Sequence, residues 1–211
     1  MILRLAGTIG LFLATMVLVS ASQNRELDAR VEALLKRRAG TWRDLNVPEA
    51  DGRTLHRLIL ENKYTRALEI GTSTGHSGLW IAWALSKTGG RLITIEIDQE
   101  RHRQAVANFK EAGLSEYVDA RLGDAHQLVA KLPGPFDFVF SDADKEWYAN
   151  YLRDVWPKVV PGGMFTAHNV TMRGSGIREF LDALKQLPDG ETTFNNDSSA
   201  GLSITRKKAT E

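Results

Sequence analysis

The feature that most constrains this chain is a rhythm: short runs of β-branched and aromatic residues, each followed by a stretch with helical spacing. RALEI (66–70), RLITIEI (91–97), YVDARL (117–122), FDFVFS (136–141) and GMFTAH (163–168) read as strands, and helices are expected to open at Gly75, Asp98, Asp124 and Lys145 between them. Strands that alternate with helices pair through crossovers, so the sheet is expected to be parallel and covered on both faces. The tail changes the rhythm. ETTFN and GLSITR are separated by NDSSA alone, which predicts an antiparallel hairpin at the end of the sheet. Ahead of the first strand, Leu27, Val31, Leu34 and Leu35 mark the buried face of one helix, and Leu55, Leu58 and Ile59 mark that of another beginning near Pro48.

At 211 residues, 43% of them apolar, the chain has material for one sizeable core and hence one domain. Its 27 basic and 26 acidic residues give a formal charge of +1, so nothing in its overall field favours nucleic acid. The absence of cysteine excludes disulfides, thiolate metal sites and thiol nucleophiles. The N-terminus differs from the rest: after MILR comes the apolar run LAGTIGLFLATMVLVS, whose last residues Val19 and Ser20 form with Ala21 a small-residue triplet before the polar SQNRE. Residues 1–21 are therefore expected to be a signal peptide cleaved after Ala21 or a retained membrane anchor, in contact with the export machinery or the membrane. Cleavage places the remainder outside. A retained anchor, with Arg25, Arg30, Lys36, Arg37 and Arg38 following it and only Arg4 before it, places the remainder on the cytoplasmic side.

Ligands of an open parallel sheet sit beyond the carboxyl ends of its strands. The first strand runs into IGTSTGHSG, where Gly71 and Gly75 permit a sharp turn and a close ligand, and Ser77 adds a hydroxyl at the helix start. The spacing lacks the second glycine of the dinucleotide G-x-G-x-x-G pattern. The second strand ends at Glu96, 21 positions after Gly75, where a carboxylate can accept both hydroxyls of a ribose or simply face solvent. In LGDA, Asp124 caps the next helix or reaches an adenine. The fourth strand ends in the charged cluster Asp142, Asp144, Lys145, which is an active-site feature or a solvated helix start with an ion pair.

Taken together, EIGTSTGHS, ITIEID, GDA, FDFVFSDADKEWYANY, PGGMFTAHN and GLSITRK resemble the successive motifs of the small class I S-adenosylmethionine-dependent O-methyltransferases, the group of the caffeoyl-CoA and catechol enzymes. The resemblance spans residues 40–207. It implies an α/β, Rossmann-like methyltransferase fold over residues 22–211: a seven-stranded, mostly parallel sheet with an antiparallel last strand and helices on both faces. It also implies S-adenosylmethionine as cofactor, with Glu69, Gly71 and Ser77 at its methionine part, Glu96 at the ribose, Asp124 and Ala125 at the adenine, Asn46 and Val47 closing over it, and Asp142, Ala143 and Asp144 along its side. The implied acceptor is a small catechol-like or phenolic hydroxyl compound, near Trp147, Met172 and Arg173. The implied activity is methyl transfer to oxygen; the alternatives are a binding protein without catalysis on the same fold and a nicotinamide-dependent oxidoreductase. A homodimer is an assembly open to the family.

Methyl transfer to oxygen needs in-line alignment and a deprotonated hydroxyl. By resemblance, Lys145 stands at the proton acceptor, which requires the amine to be held neutral by partial burial and a nearby cation. A divalent ion on Asp142 and Asn169 would orient the acceptor and acidify it. One position departs from the pattern: metal-dependent members carry Asp-Asn where this chain has His168-Asn169. His168 is then a ligand, with Asp142 and Asn169, for manganese, iron or zinc in preference to magnesium; or a catalytic base or substrate contact in a metal-free site; or a structural histidine. The other histidines are expected away from ligation, His56 and His102 in helices, His76 in the first turn and His126 after Asp124.

Overall fold

The computed structural model describes residues 22–42 and 45–209. The expected signal or anchor over residues 1–21 lies outside the described residues, among which no helix is long and apolar enough to cross a membrane. Helices α1 (residues 22–37) and α2 (Glu49–Asn62) precede the repeating units. These are β1 (Arg66–Ile70), α3 (His76–Thr88), β2 (Arg91–Glu96), α4 (Gln99–Ala112), β3 (Val118–Leu122), α5 (Ala125–Leu128), β4 (Phe136–Ser141), α6 (Tyr148–Val155), β5 (Val159–His168) and α7 (Ser175–Lys185). Strands β6 (Gly190–Asn195) and β7 (Leu202–Lys207) close the chain.

The sheet has seven strands in the order β3-β2-β1-β4-β5-β7-β6, and β7 runs antiparallel to both of its neighbours. The expected strands and the terminal hairpin are all present. Strand ends differ from the expected ones by no more than one residue, except that β5 starts at Val159, ahead of the expected Gly163; α6 opens at Tyr148, after the expected Lys145. The Pro161-Gly162-Gly163 stretch is accommodated within the strand as an irregularity, Phe136 pairing with Val159 and Phe138 with Met164, with Gly162 at φ 80°.

Alternation along the strands divides the core in two. Ala67, Phe138, Phe140 and Met164 pack beneath α1 to α4, together with Leu34, Leu55, Ile59, Leu79 and Phe109. Leu68, Ile70, Val139 and Phe165 face the other way, onto Tyr151, Leu152, Ile177 and Phe180 of α6 and α7. The same period carries Glu69 to the first face, under α3, and brings His168 to the side from which α2 approaches.

At the sheet's centre β1 and β4 pair in parallel and leave the sheet side by side. Asp142 N donates to Ile70 O (2.8 Å) and Gly71 N to Ile95 O (3.0 Å). Gly71 has φ 96°, and a Cβ there would lie 2.7 Å from the Asp142 carbonyl oxygen. Both the conformation and the space require glycine. Gly71→Ala is expected to destabilise the fold by about 1–3 kcal/mol, measured as a fall in the urea unfolding free energy; an unchanged midpoint would mean that the two strand ends are not held this closely.

Candidate active site

A cavity of 590 Å³ opens at the carboxyl ends of the central strands. Its apolar surface includes Ile95, Ile97 and Ala125, and its polar surface includes Gly71, Ser73, Glu96, Arg101, Asp124, His126, Asp142, Asp144, Lys145, His168 and Asn169, with Leu45 and Asn46 over one side. The β1–α3 turn builds the first wall. Ser73 takes φ 48° and gives its N–H to Glu96 Oε2 (2.7 Å), while Glu96 Oε1 accepts from Asp98 N (3.0 Å). Both Glu96 oxygens are thus aimed by backbone. Asn46 ties the covering segment to this turn through Thr74 Oγ1 (2.7 Å) and His76 N (3.2 Å). Asp124 caps α5 by accepting from His126 N (2.9 Å), and still borders the cavity beside Ala125.

Four sequence-predicted residues stand behind the wall. Val47 is buried and its carbonyl bonds to His76 Nδ1 (2.8 Å), Gly75 caps α3, and Ser77 and Glu69 face each other beneath that helix. Glu69 is fully buried. Burial raises its carboxyl, against hydrogen bonds from Ser77 and Thr94, to about 8, with Asp142 and Glu96 adding repulsion.

A second corner of the cavity forms where β4 and β5 end. Tyr148 Oη lies between the carbonyls of Ser141 (3.0 Å) and His168 (3.2 Å) and so clamps the two strand ends. Lys145 Nζ donates to Asp142 Oδ1 (2.7 Å) and to Ala143 O (3.0 Å). The other Asp142 oxygen meets His168 Nδ1 (3.1 Å), and His168 Nε2 meets Asp51 Oδ2 (2.8 Å), which also accepts from Ser198 Oγ (2.6 Å). Burial opposes a charge on the His168 ring, but its hydrogen bonds to Asp142 and Asp51 and the charges of both outweigh that and raise it to about 9. Burial likewise opposes the Asp51 charge, yet hydrogen bonds from His168 and Ser198 hold its carboxyl below the usual range.

Asp142, His168 and Asn169 do come together, with Asn169 at φ 59° on the cavity wall. As a ligand set, however, they do not fit a divalent ion. Both ring nitrogens face carboxylates, Nδ1 that of Asp142 and Nε2 that of Asp51, and both Asp142 oxygens are already engaged, by Lys145 Nζ and by the ring. Among the described residues, no group of three His, Cys, Asp or Glu side chains is arranged to hold a metal.

Three contributors were not legible as site residues. Asp51 lies on the buried stripe of α2, one turn before Leu55, and Ser198 sits in the β6–β7 connection; an acid on an otherwise apolar stripe is the signal that could have found the former. His126 lines the cavity, stacked on Trp147 at 4.2 Å between centroids, with Nε2 3.3 Å from Asp144. The remaining histidines are structural: His56 and His76 pack in an aromatic cluster with Trp42, Trp80 and Trp83, and His102 bonds to Ala120 O (3.2 Å). Met172 is exposed beyond the corner.

Residues 18–191 match the family model described as O-methyltransferase. A catechol O-methyltransferase of Niastella koreensis is 37% identical over 164 residues, covering 76% of this chain and 73% of that protein. A caffeoyl-CoA O-methyltransferase of Eucalyptus globulus is 30% identical over 64% of this chain, which spans only 57% of that protein. Among solved structures, an O-methyltransferase of Bacillus cereus in complex with S-adenosylhomocysteine (SAH) superposes with a TM-score of 0.75 at 27% identity, over 85% of this chain and 91% of that one. An O-methyltransferase of tomaymycin synthesis from Streptomyces achromogenes, bound to S-adenosylmethionine, gives 0.74 at 28% identity, over 84% and 88%.

The raised Glu69 carboxyl has a consequence for stability. The folded protein keeps a proton that the unfolded chain releases at the ordinary value of 4.5, so the contribution of Glu69 is greatest below that pH and is lost as pH rises towards about 8. Glu69→Gln mimics the protonated acid and is expected to flatten the decline in unfolding free energy between about pH 5 and pH 8. Parallel wild-type and variant curves in urea titrations would contradict the assignment.

Proposed function

The chain belongs to the class I S-adenosylmethionine-dependent O-methyltransferase family, and on that premise we propose that it methylates a hydroxyl of a small catechol-like or phenolic acceptor. The nicotinamide-dependent alternative finds no support among these relatives. The observation that carries the reading is the Lys145–Asp142 pair at the inner end of the cavity, beside the glycine-bearing turn and Glu96.

The cavity suits the cofactor. Glu96, Asp124 and Asp144 place carboxylates along it apart from the charge-balanced Asp142 cluster, and Gly71 and Ser73 bring backbone to its surface. S-adenosylmethionine supplies an electrophilic methyl carbon on a sulfonium sulfur: the acceptor oxygen provides the electron pair of the new C–O bond, and sulfur retains that of the broken C–S bond. In our reading, Glu96 holds the ribose hydroxyls, Asp124 and Ala125 border the adenine, and Gly71 makes room for the methionine part. Val47, Glu69, Gly75 and Ser77 support that wall from behind. Lys145 handles the acceptor's proton. In its neutral form the amine takes the hydroxyl proton; as an ammonium, two of its N–H groups are held by Asp142 and Ala143 O, and the third steadies the oxyanion. His168 buttresses Asp142 and does not act as the base, because both of its nitrogens are engaged. Trp147, stacked on His126, would flank the acceptor ring.

Glu96→Ala is expected to weaken S-adenosylmethionine binding by about 1–3 kcal/mol in calorimetry, since a charged acceptor for two hydroxyls is lost. Lys145→Met is expected to lower kcat for methylation of a catechol panel by about 10²–10⁴ while leaving cofactor affinity intact. NADH binding in preference to S-adenosylmethionine, or full activity in Lys145→Met, would sink this reading.

We further propose that residues 1–21 direct the protein to the membrane or through it, on the strength of the apolar run and the Val19-Ser20-Ala21 triplet. Expressed with its own N-terminus, the protein is expected to fractionate with membranes or to be trimmed near residue 22. Full-length protein in the soluble cytoplasmic fraction would contradict this.

A further inference from the structure

We propose that Asp51 is a positioning residue that fixes His168 across Asp142 as an internal cation, so that the acceptor side of the site is assembled without a divalent ion. The inference rests on the methyltransferase reading above for its meaning, and on geometry for its evidence. His168 lies between two carboxylates, Nε2 2.8 Å from Asp51 Oδ2 and Nδ1 3.1 Å from Asp142 Oδ2. Ionised carboxylates only accept hydrogen bonds, so both ring nitrogens must donate. Asp142 Oδ1 is taken by Lys145 at 2.7 Å. The carboxylate that faces the cavity therefore meets a cationic donor on each oxygen.

Asp51 is built for this task. It is 0% exposed on the buried stripe of α2, and the oxygen that meets the ring is fixed a second time by Ser198 Oγ at 2.6 Å. Three segments, α2, the end of β5 and the β6–β7 connection, thus converge on one oxygen atom and leave the ring little freedom to turn towards the cavity. Charge balance agrees. Two carboxylates face one imidazolium and one ammonium, a neutral cluster in a buried setting, and a dication added to it would stand uncompensated. An aspartate at position 168 would reverse the balance: three carboxylates and one ammonium would carry a net negative charge that calls for a divalent ion. The histidine and its buried partner thus do the electrostatic work of organising Asp142, and Lys145 keeps an N–H for the acceptor oxygen.

The test is manganese binding to the full chain with SAH present, followed by electron paramagnetic resonance, together with imidazole ¹⁵N–¹H spectra. The wild type is expected to bind no stoichiometric Mn²⁺ at micromolar concentration and to keep its methyl-transfer rate in EDTA. His168→Asp is expected to gain one Mn²⁺ site, at least about tenfold tighter than any in the wild type. His168→Asn gives the same direction should the aspartate variant fold poorly. Asp51→Asn is expected to weaken the Nε2–H hydrogen bond, shifting that proton upfield, and to lower kcat about tenfold with cofactor affinity unchanged. One tight Mn²⁺ in the wild type, loss of transfer in EDTA, no gained site in either His168 variant, or an unmoved imidazole proton in Asp51→Asn would each overturn the proposal. Because manganese binding and the imidazole spectrum need no turnover, they stand apart from the functional reading; that reading fails instead if no acceptor is methylated while the metal results hold.

Discussion

Asp142 leaves the end of β4 with its backbone pressed against Gly71 and its carboxylate held between Lys145 and His168. The first contact exists because β1 and β4 pair in parallel at the centre of the sheet and exit side by side, which only a residue without Cβ allows at this separation. The second exists because β5 ends one strand further on and alternation carries His168 to the face beneath α2. The wall proposed for the cofactor and the corner proposed for the acceptor are thereby joined through a single residue. A shift of either strand end would misplace both, and in a reaction that depends on alignment that is the most damaging kind of error.

The charges of the site are arranged so that each buried one has a partner. Asp51, His168, Asp142 and Lys145 form a continuous chain from the core to the cavity, with carboxylates and cations in alternation. Such a chain organises more than it stabilises: burying the charges is costly, and removing one member strands its neighbour. The Glu96 carboxylate is organised differently, by the N–H groups of Ser73 and Asp98, so its orientation follows from the backbone of the turn. In the proposed function, cofactor recognition is thus set by local geometry and acceptor chemistry by a long-range network.

That difference explains what the sequence could reveal. Gly71, Glu96, Asp124 and Lys145 all sit where a strand gives way to a helix, and short-range patterns of periodicity, capping and glycine placement locate such junctions well; the caps at Asp98, Asp124 and Asp144 follow the expected helix starts. The unusual His168 was visible as a departure from a family pattern, but its meaning was not, because its partner Asp51 lies 117 positions away on a helix that reads as packing. Ser198 falls in a connection whose only legible property was its shortness. The β5 start was placed at Gly163, whereas the strand begins at Val159 and an irregularity absorbs Pro161 and Gly162 within it. Glu69 entered as a cofactor contact through the family resemblance alone, and strand alternation accounts for its burial under α3.

The central claim is that Asp142 is organised by side chains of this protein, His168 and Lys145, and through them by Asp51. The most direct measurement is anomalous diffraction at the manganese edge from crystals of the SAH complex equilibrated with Mn²⁺. The account predicts no anomalous peak at coordinating distance from the Asp142 carboxylate, with the His168 ring still spanning Asp142 and Asp51. A peak shared by Asp142, His168 and Asn169, with the ring turned away from Asp51, would contradict it.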